Sequence, residues 1–136
     1  MAQAALSGSC LCGSILYEVN QIEAAISHCH CSMCRKFHGA AFATYGEAKV
    51  EDFRWLSGEA LLSSFCGHNG TLRKFCSVCG SSLIFISAQD DGQVIEFALS
   101  TLDTELGSKP SAHIYTEFKA NWYDMVDDLP QFKNGR

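Results

Sequence analysis

The segment Ser27-His28-Cys29-His30-Cys31-Ser32-Met33-Cys34-Arg35-Lys36-Phe37-His38-Gly39 carries three cysteines within six residues, at Cys-x-Cys-x-x-Cys spacing. Two thiols at i and i+2 on extended backbone point to one side, about 6.5 Å apart. Two thiols at i and i+3 meet across a tight turn. Three such thiols can close on one ion, but tetrahedral zinc takes four ligands. The segment supplies three donors, Cys29, Cys31 and Cys34, and leaves one position open, which is the arithmetic of a catalytic or ligand-accepting zinc. With Cys29 and Cys31 on one side, His28 and His30 face the other and read as core or supporting residues rather than ligands. A turn or one short helix is expected from Cys31 to about Gly39. His38 is the histidine best placed to approach the open position, or equally a surface histidine at the helix end, and no residue reads as a committed general base.

Two further cysteine pairs flank this stretch. Gly8-Ser9-Cys10-Leu11-Cys12-Gly13 precedes a strand in which Ile15, Tyr17 and Val19 alternate with Ser14, Leu16 and Glu18. Phe75-Cys76-Ser77-Val78-Cys79-Gly80-Ser81 has the spacing of a zinc knuckle, in which a turn points both thiols at one ion. The economical partition groups Cys10, Cys12, Cys76 and Cys79 as one closed, structural four-thiolate site and leaves Cys29, Cys31 and Cys34 as the second. Spacing does not exclude other pairings of the two-ligand halves. The eighth cysteine, Cys66, has no cysteine near it in sequence and is expected to be a small buried residue, the alternative being a free reactive thiol.

The rest of the chain is short apolar runs punctuated by turn residues. Ala24–Ser27 leads into the central segment as a strand, and Ala41–Tyr45 is expected as a strand ending at Gly46. Val50–Leu56 alternates up to Ser57-Gly58. Leu61–Phe65 and Leu72–Phe75 flank Asn69-Gly70, a strong hairpin signal, and Leu83–Ile86 pairs with Val94–Leu99 across Asp90-Asp91-Gly92. His113-Ile114-Tyr115 reads as a short strand, and the polar segment 124–136 as a frayed surface tail. Long amphipathic helices, internal repeats and linkers are absent. The expected class is mainly β, built of antiparallel sheets in one domain over residues 1–136, a length that buries about two thirds of the unfolded surface.

Charge and composition narrow the partners. The formal net charge of −5 would become about −8 with seven ionised thiols and two Zn²⁺, the reverse of a duplex-binding domain. No nucleic-acid partner is expected. No stretch approaches the ~18 apolar residues of a membrane span, so no membrane partner is expected either. Met1–Ser9 lacks the pattern of a secretory leader, and the chain is expected to be cytoplasmic. There, the seven clustered cysteines read as metal ligands, and the eight together do not read as a disulfide framework.

The ordered motifs Gly8-Ser9-Cys10-x-Cys12-Gly13, Cys29-His30-Cys31-x-x-Cys34-Arg35-Lys36-x-x-Gly39-Ala40 and Phe75-Cys76-x-x-Cys79-Gly80-Ser81-x-Leu83 resemble the glutathione-dependent formaldehyde-activating enzyme family, also named for centromere protein V. Pro110-x-x-His113-Ile114 and Lys119-x-x-Trp122 match that family's C-terminal pattern, so the resemblance covers nearly the whole chain. It implies a β-tent, zinc-ribbon-like fold with a structural zinc on Cys10, Cys12, Cys76 and Cys79 and a catalytic zinc on Cys29, Cys31 and Cys34. It also implies carbon–sulfur lyase chemistry on a small thiol and an aldehyde, as in the joining of glutathione and formaldehyde to S-(hydroxymethyl)glutathione. Arg35, Lys36, Arg73 and Lys74, beside the cysteine clusters, read equally as groups that favour thiolates and attract the carboxylates of such a thiol and as solvated side chains offsetting the sites' negative charge. Two other readings use the same residues. One is a zinc-stabilised, non-catalytic binding module, and the other is a thiol redox or carrier protein working through the central triplet.

Overall fold

The computed structural model describes residues 5–136. The elements, in chain order, are β1 (Leu6–Ser9), β2 (Leu16–Val19), β3 (Ser27–Cys29), α1 (Ser32–His38), β4 (Ala43–Lys49), β5 (Phe53–Ser57), β6 (Leu62–Cys66), β7 (Leu72–Cys76), β8 (Ser82–Ile86), β9 (Val94–Ala98) and β10 (Ala112–Ile114). They form a three-stranded sheet in the order β1-β2-β5 and a seven-stranded sheet in the order β10-β3-β4-β9-β8-β7-β6. The fold is therefore mainly β and largely antiparallel, as the sequence indicates. The exception is the parallel pairing of β10 with β3, which sets His113 opposite His28.

The core forms between the sheets because alternate residues of each strand turn inward. The Tyr17 ring stacks on Phe53 at 5.1 Å and meets Trp55 edge-on at 6.0 Å. Phe97, Leu83 and Ile84 close the other side and are fully buried. Two strand glycines make room for these rings. Gly8 lies opposite Tyr17 and Gly46 opposite Phe97 in the strand registers. A Cβ at Gly46 would stand 2.6 Å from the Phe97 ring and 2.8 Å from Ile22.

This explains why Gly46 does not end its strand: β4 runs on to Lys49, with the glycine beneath Phe97. Val50–Asp52 is a single 3-10 turn ahead of β5 rather than its first residues. Tyr115 adopts a left-handed conformation (φ 55°) and terminates β10 instead of extending it.

Two expectations are corrected outright. Cys66 is exposed at the end of the edge strand β6, not buried. The segment 124–136 is docked, not frayed. His113 N–H donates to Pro130 O and Phe132 N–H to His113 O, each at 2.9 Å, and Tyr115 N–H donates to Asn134 O at 3.1 Å. The Arg136 guanidinium donates to Ile26 O at 3.1 Å and to Ser111 Oγ at 2.8 Å. The physical reason is that β10 is an edge strand whose free backbone groups need partners, and the polar tail provides them. Among the described residues, no helix is long and apolar enough to cross a membrane.

Overpacking a closed core costs typically 1–3 kcal/mol. Gly46→Ala is therefore expected to lower unfolding stability by about 1–3 kcal/mol. Gly107→Ala, with nothing within 4 Å of the added carbon, is expected to leave it unchanged. Denaturant melts of the two variants test the assignment.

Candidate metal centres and an adjoining cavity

The turn between β1 and β2 brings Cys10 and Cys12 against Cys76 and Cys79 in the turn between β7 and β8, so that all four sulfur atoms lie within 4.8 Å of one another. The Cys10 and Cys12 sulfurs are 3.6 Å apart and those of Cys12 and Cys76 are 3.9 Å apart. A tetrahedral zinc with Zn–S bonds of about 2.3 Å requires sulfur–sulfur edges of about 3.8 Å. The donor set thus fits a tetrahedral thiophilic ion. Backbone amides point at the sulfurs: Ile15 N–H donates to Cys10 Sγ at 3.3 Å, and Val78 N–H to Cys76 Sγ at 3.4 Å. Ser81 joins the turns, its Oγ accepting from Leu11 N–H at 2.8 Å and lying 3.2 Å from Cys79 Sγ. That hydroxyl holds the Cys79 thiol down at about 5.

The second cluster is local. Cys29 ends β3, Cys31 caps the N-terminus of α1, and Cys34 lies in the first turn of that helix, with the three sulfurs within 4.8 Å of one another. Cys31 Sγ accepts from Cys34 N–H at 3.3 Å. Three packed thiols cannot all ionise by themselves. Hydrogen bonds from Cys29 and Cys34 pull Cys31 down to about 2. The bond to Cys31, the bond to Cys34 and burial push Cys29 far above the thiol range. A divalent cation among them removes the conflict.

Arg73, only 7% exposed, donates both Nη groups toward Cys34 Sγ at 3.9 Å. Its guanidinium is flanked by the Phe37 and Phe85 rings, with centroids at 5.4 and 5.2 Å. His38 does not reach the sulfurs. Its Nε2 is 2.7 Å from the Tyr45 hydroxyl. Burial, aided by Arg73, lowers His38 to about 4, while burial and then Cys34 raise Tyr45. Both side chains are thus neutral at physiological pH, and Tyr45 is the polar group beside the cluster.

On the opposite face of β3, His28 Nδ1 lies 2.7 Å from Thr44 Oγ1 and His30 Nε2 lies 2.7 Å from His113 Nδ1. His113 Nε2 reaches the Asp127 carboxylate at 2.9 Å. This row, buried at His30 and His113, braces the backbone that presents Cys29 and Cys31. His30 Nδ1 and Arg35 Nε are buried without partners.

Cys29, Cys31 and Cys34 line a cavity of about 580 Å³. Its floor is one face of the seven-stranded sheet, where Glu47, Glu96, Phe85 and Arg73 stand in one cross-strand row. Burial, together with Glu47 and Asp90, pushes the Glu96 carboxyl up to about 8. Burial also raises Glu47, with Asp90 and Glu23 adding to it.

The structure brings together all seven cysteines singled out in the sequence, divided four and three. Of the four basic residues beside the clusters, Arg73 points at a sulfur, Arg35 is half-buried, and Lys36 is exposed. Lys74 is half-buried, and its neighbour in register is Ile84. Tyr45, Glu47 and Glu96 escape a reading of the sequence. In each strand they are ordinary alternating residues, and only the pairing of β4 with β9, distant in sequence, sets them side by side.

Residues 5–118 match the family described as glutathione-dependent formaldehyde-activating enzyme. A Halomonas elongata protein named "Putative glutathione-dependent formaldehyde-activating enzyme" is 28% identical over 127 residues, spanning 88% of this chain and 80% of that protein. The crystal structure of a Rhodobacter sphaeroides protein superposes with a TM-score of 0.64 at 23% identity, covering 76% of this chain and 97% of the other. That likeness concerns the fold.

Two measurements check this geometry. Elemental analysis is expected to find two thiophilic divalent ions per chain, the one on the three-sulfur cluster leaving first on brief chelation. The second measurement concerns Glu96, whose raised pKa means that the folded chain holds a proton where the unfolded carboxyl has lost it. Stability therefore falls as pH rises from the ordinary carboxylate range through 8. Glu96→Gln is expected to match the parent near pH 4 and to exceed it above pH 8. The gain should be on the order of 1–2 kcal/mol once solvent screening is allowed for.

Proposed function

The chain belongs to the glutathione-dependent formaldehyde-activating enzyme family, and from that premise we propose that it is a zinc-dependent carbon–sulfur lyase. In this reading it joins a small thiol to an aldehyde and splits the adduct in reverse, with glutathione and formaldehyde as the first pair to test. The observation that carries the reading is the set of three converging sulfurs, Cys29, Cys31 and Cys34, on the wall of a cavity large enough for a peptide-sized thiol. Three protein donors leave a tetrahedral ion one position for a ligand.

Zinc bound there would lower the pKa of an incoming thiol and polarise an aldehyde oxygen. The chain's own residues do the remaining work. The cavity holds the two reactants side by side, which removes much of the entropic barrier to their meeting. Arg73 donates toward Cys34 Sγ and so draws charge from one of the three thiolates, offsetting the weak Lewis acidity of a thiolate-rich ion. Tyr45, positioned by His38, keeps a neutral hydroxyl next to the cluster. The reaction balances without redox change. One carbon–sulfur bond forms, the carbonyl π bond breaks, and the thiol proton ends on the former carbonyl oxygen.

Exchange NMR of glutathione with formaldehyde measures the rate directly. Zinc-loaded protein is expected to accelerate exchange over the spontaneous reaction. Cys34→Ser is expected to lose at least tenfold of that acceleration while keeping the ion on the four-sulfur cluster. Exchange at the spontaneous rate with glutathione and with other small thiols would sink the reading.

A further inference from the structure

We propose that Glu47 and Glu96 act as a proton-sharing pair, Glu47 taking the proton of the thiol and Glu96 delivering one to the aldehyde oxygen. This rests on the thiol–aldehyde reading and supplies the route by which the proton crosses from sulfur to oxygen.

The sheet register sets the pair. Glu47 of β4 lies opposite Glu96 of β9. Both side chains are half-buried and line the cavity onto which Cys29, Cys31 and Cys34 open. Two carboxylates directly opposed on a sheet repel, and burial penalises the second charge further. The conflict is resolved within the pair. Their side chains share a hydrogen bond that raises Glu96 and lowers Glu47. A carboxylate has no donor of its own, so such a bond requires a proton on one partner. At neutral pH the pair therefore holds one proton, on Glu96, and one negative charge, on Glu47.

The pair and the sulfurs front the same space. Glu47 stands two residues from Tyr45 on one face of β4, roughly 6.6 Å along the strand, and the Tyr45 hydroxyl sits beside Cys34. Tyr115, in the cavity wall, is raised by burial and then by Cys29, Cys31, Glu96 and Cys34 together. A thiol and an aldehyde held between cluster and pair thus have a proton acceptor and a proton donor within reach. The surroundings hold the pair in this state. Asp90 of the β8–β9 turn and Glu23, ahead of β3, favour retention of the proton, while Arg73 of β7 acts more weakly the other way on Glu96. The Arg136 guanidinium lines another wall. Tyr45 and His38 are bonded to each other and stay neutral. Glu96, raised to about 8 chiefly by burial, changes charge close to neutral pH, where general acid–base catalysis is most effective.

The proton balance closes. The Glu47 carboxylate accepts the thiol proton as the carbon–sulfur bond forms and the carbonyl π bond breaks. The Glu96 carboxyl gives its proton to the alkoxide oxygen that results. Glu47 then holds the proton and Glu96 the charge, and transfer along their shared hydrogen bond restores the starting state. One proton is taken and one given, with no oxidation. The reverse sequence splits the adduct.

Two measurements test the pair. Exchange NMR at saturating glutathione and formaldehyde gives kcat against pH for the zinc-loaded protein, and infrared spectroscopy of the same protein without ligand follows its carboxylic C=O bands. Parent kcat is expected to fall as pH rises through about 8, and one carboxylic band to vanish over the same range. Glu96→Gln is expected to lack that band, to lose the alkaline fall and to lower kcat by roughly tenfold or more. Its zinc content and its calorimetric affinity for glutathione should match the parent. Glu47→Gln should lower kcat alike and move the loss of the band to lower pH, since the opposing charge is gone. A parent that accelerates exchange while Glu96→Gln keeps its kcat or its alkaline fall would overturn the proposal and leave the thiol–aldehyde reading standing. So would the absence from the parent of a carboxylic band that titrates near 8, a result that requires no variant to fold. If the parent exchanges only at the spontaneous rate, both fall together.

Discussion

Sulfur atoms packed within 4.8 Å of one another cannot all release their protons unless positive charge sits among them. Much of the chain serves that constraint. Amide groups of the turns point at Cys10, Cys76 and Cys31, and Arg73 is kept dry against Cys34 despite the expense of burying a guanidinium. The four-sulfur cluster also has a mechanical role. It brings the β1–β2 turn of the small sheet against the β7–β8 turn of the large one, where Ser81 Oγ also accepts from Leu11 N–H.

The cysteine pattern was legible because its geometry is local. A Cys-x-x-Cys turn presents two thiols wherever it lies, so spacing identified the donors, and only their assortment needed the fold. Strand hairpins at Asn69-Gly70 and Asp90-Asp91-Gly92 were legible for the same reason, since a turn and its flanking strands lie in one window of sequence. What escaped depends on pairings between distant segments. The parallel contact of β10 with β3, which builds the His30–His113–Asp127 row, joins residues more than eighty positions apart. The docking of the tail follows from the edge that this pairing leaves open. Gly46 looked like a stop because the ring above it comes from another strand, and Cys66 looked buried because a lone cysteine is usually a small core residue, whereas its edge position follows only from the strand order.

The net charge of −5 is a poor guide to the ligand. Averaged over the surface it speaks against polyanions, yet within the cavity charge is segregated, with carboxyls at one end and a guanidinium at the other. The family resemblance points to thiol chemistry without explaining this segregation. It arises from a register that places three ionisable side chains and one aromatic ring on a single row of the sheet.

Helix α1 has seven residues, well below the length at which a helix persists unaided in water. What keeps it wound is its attachment at both ends. Cys31 Sγ caps its start, Ser82 Oγ donates to Phe37 O at 2.8 Å, and Gly39 closes it in a left-handed turn. Two of the three clustered sulfurs therefore belong to the helix that they hold together. Loss of an ion bound to these sulfurs would loosen cap and helix together, making this wall of the cavity a small cooperative unit with a local unfolding equilibrium of its own. Amide protons of α1 would then register, through their exchange with solvent, how firmly the cluster is held.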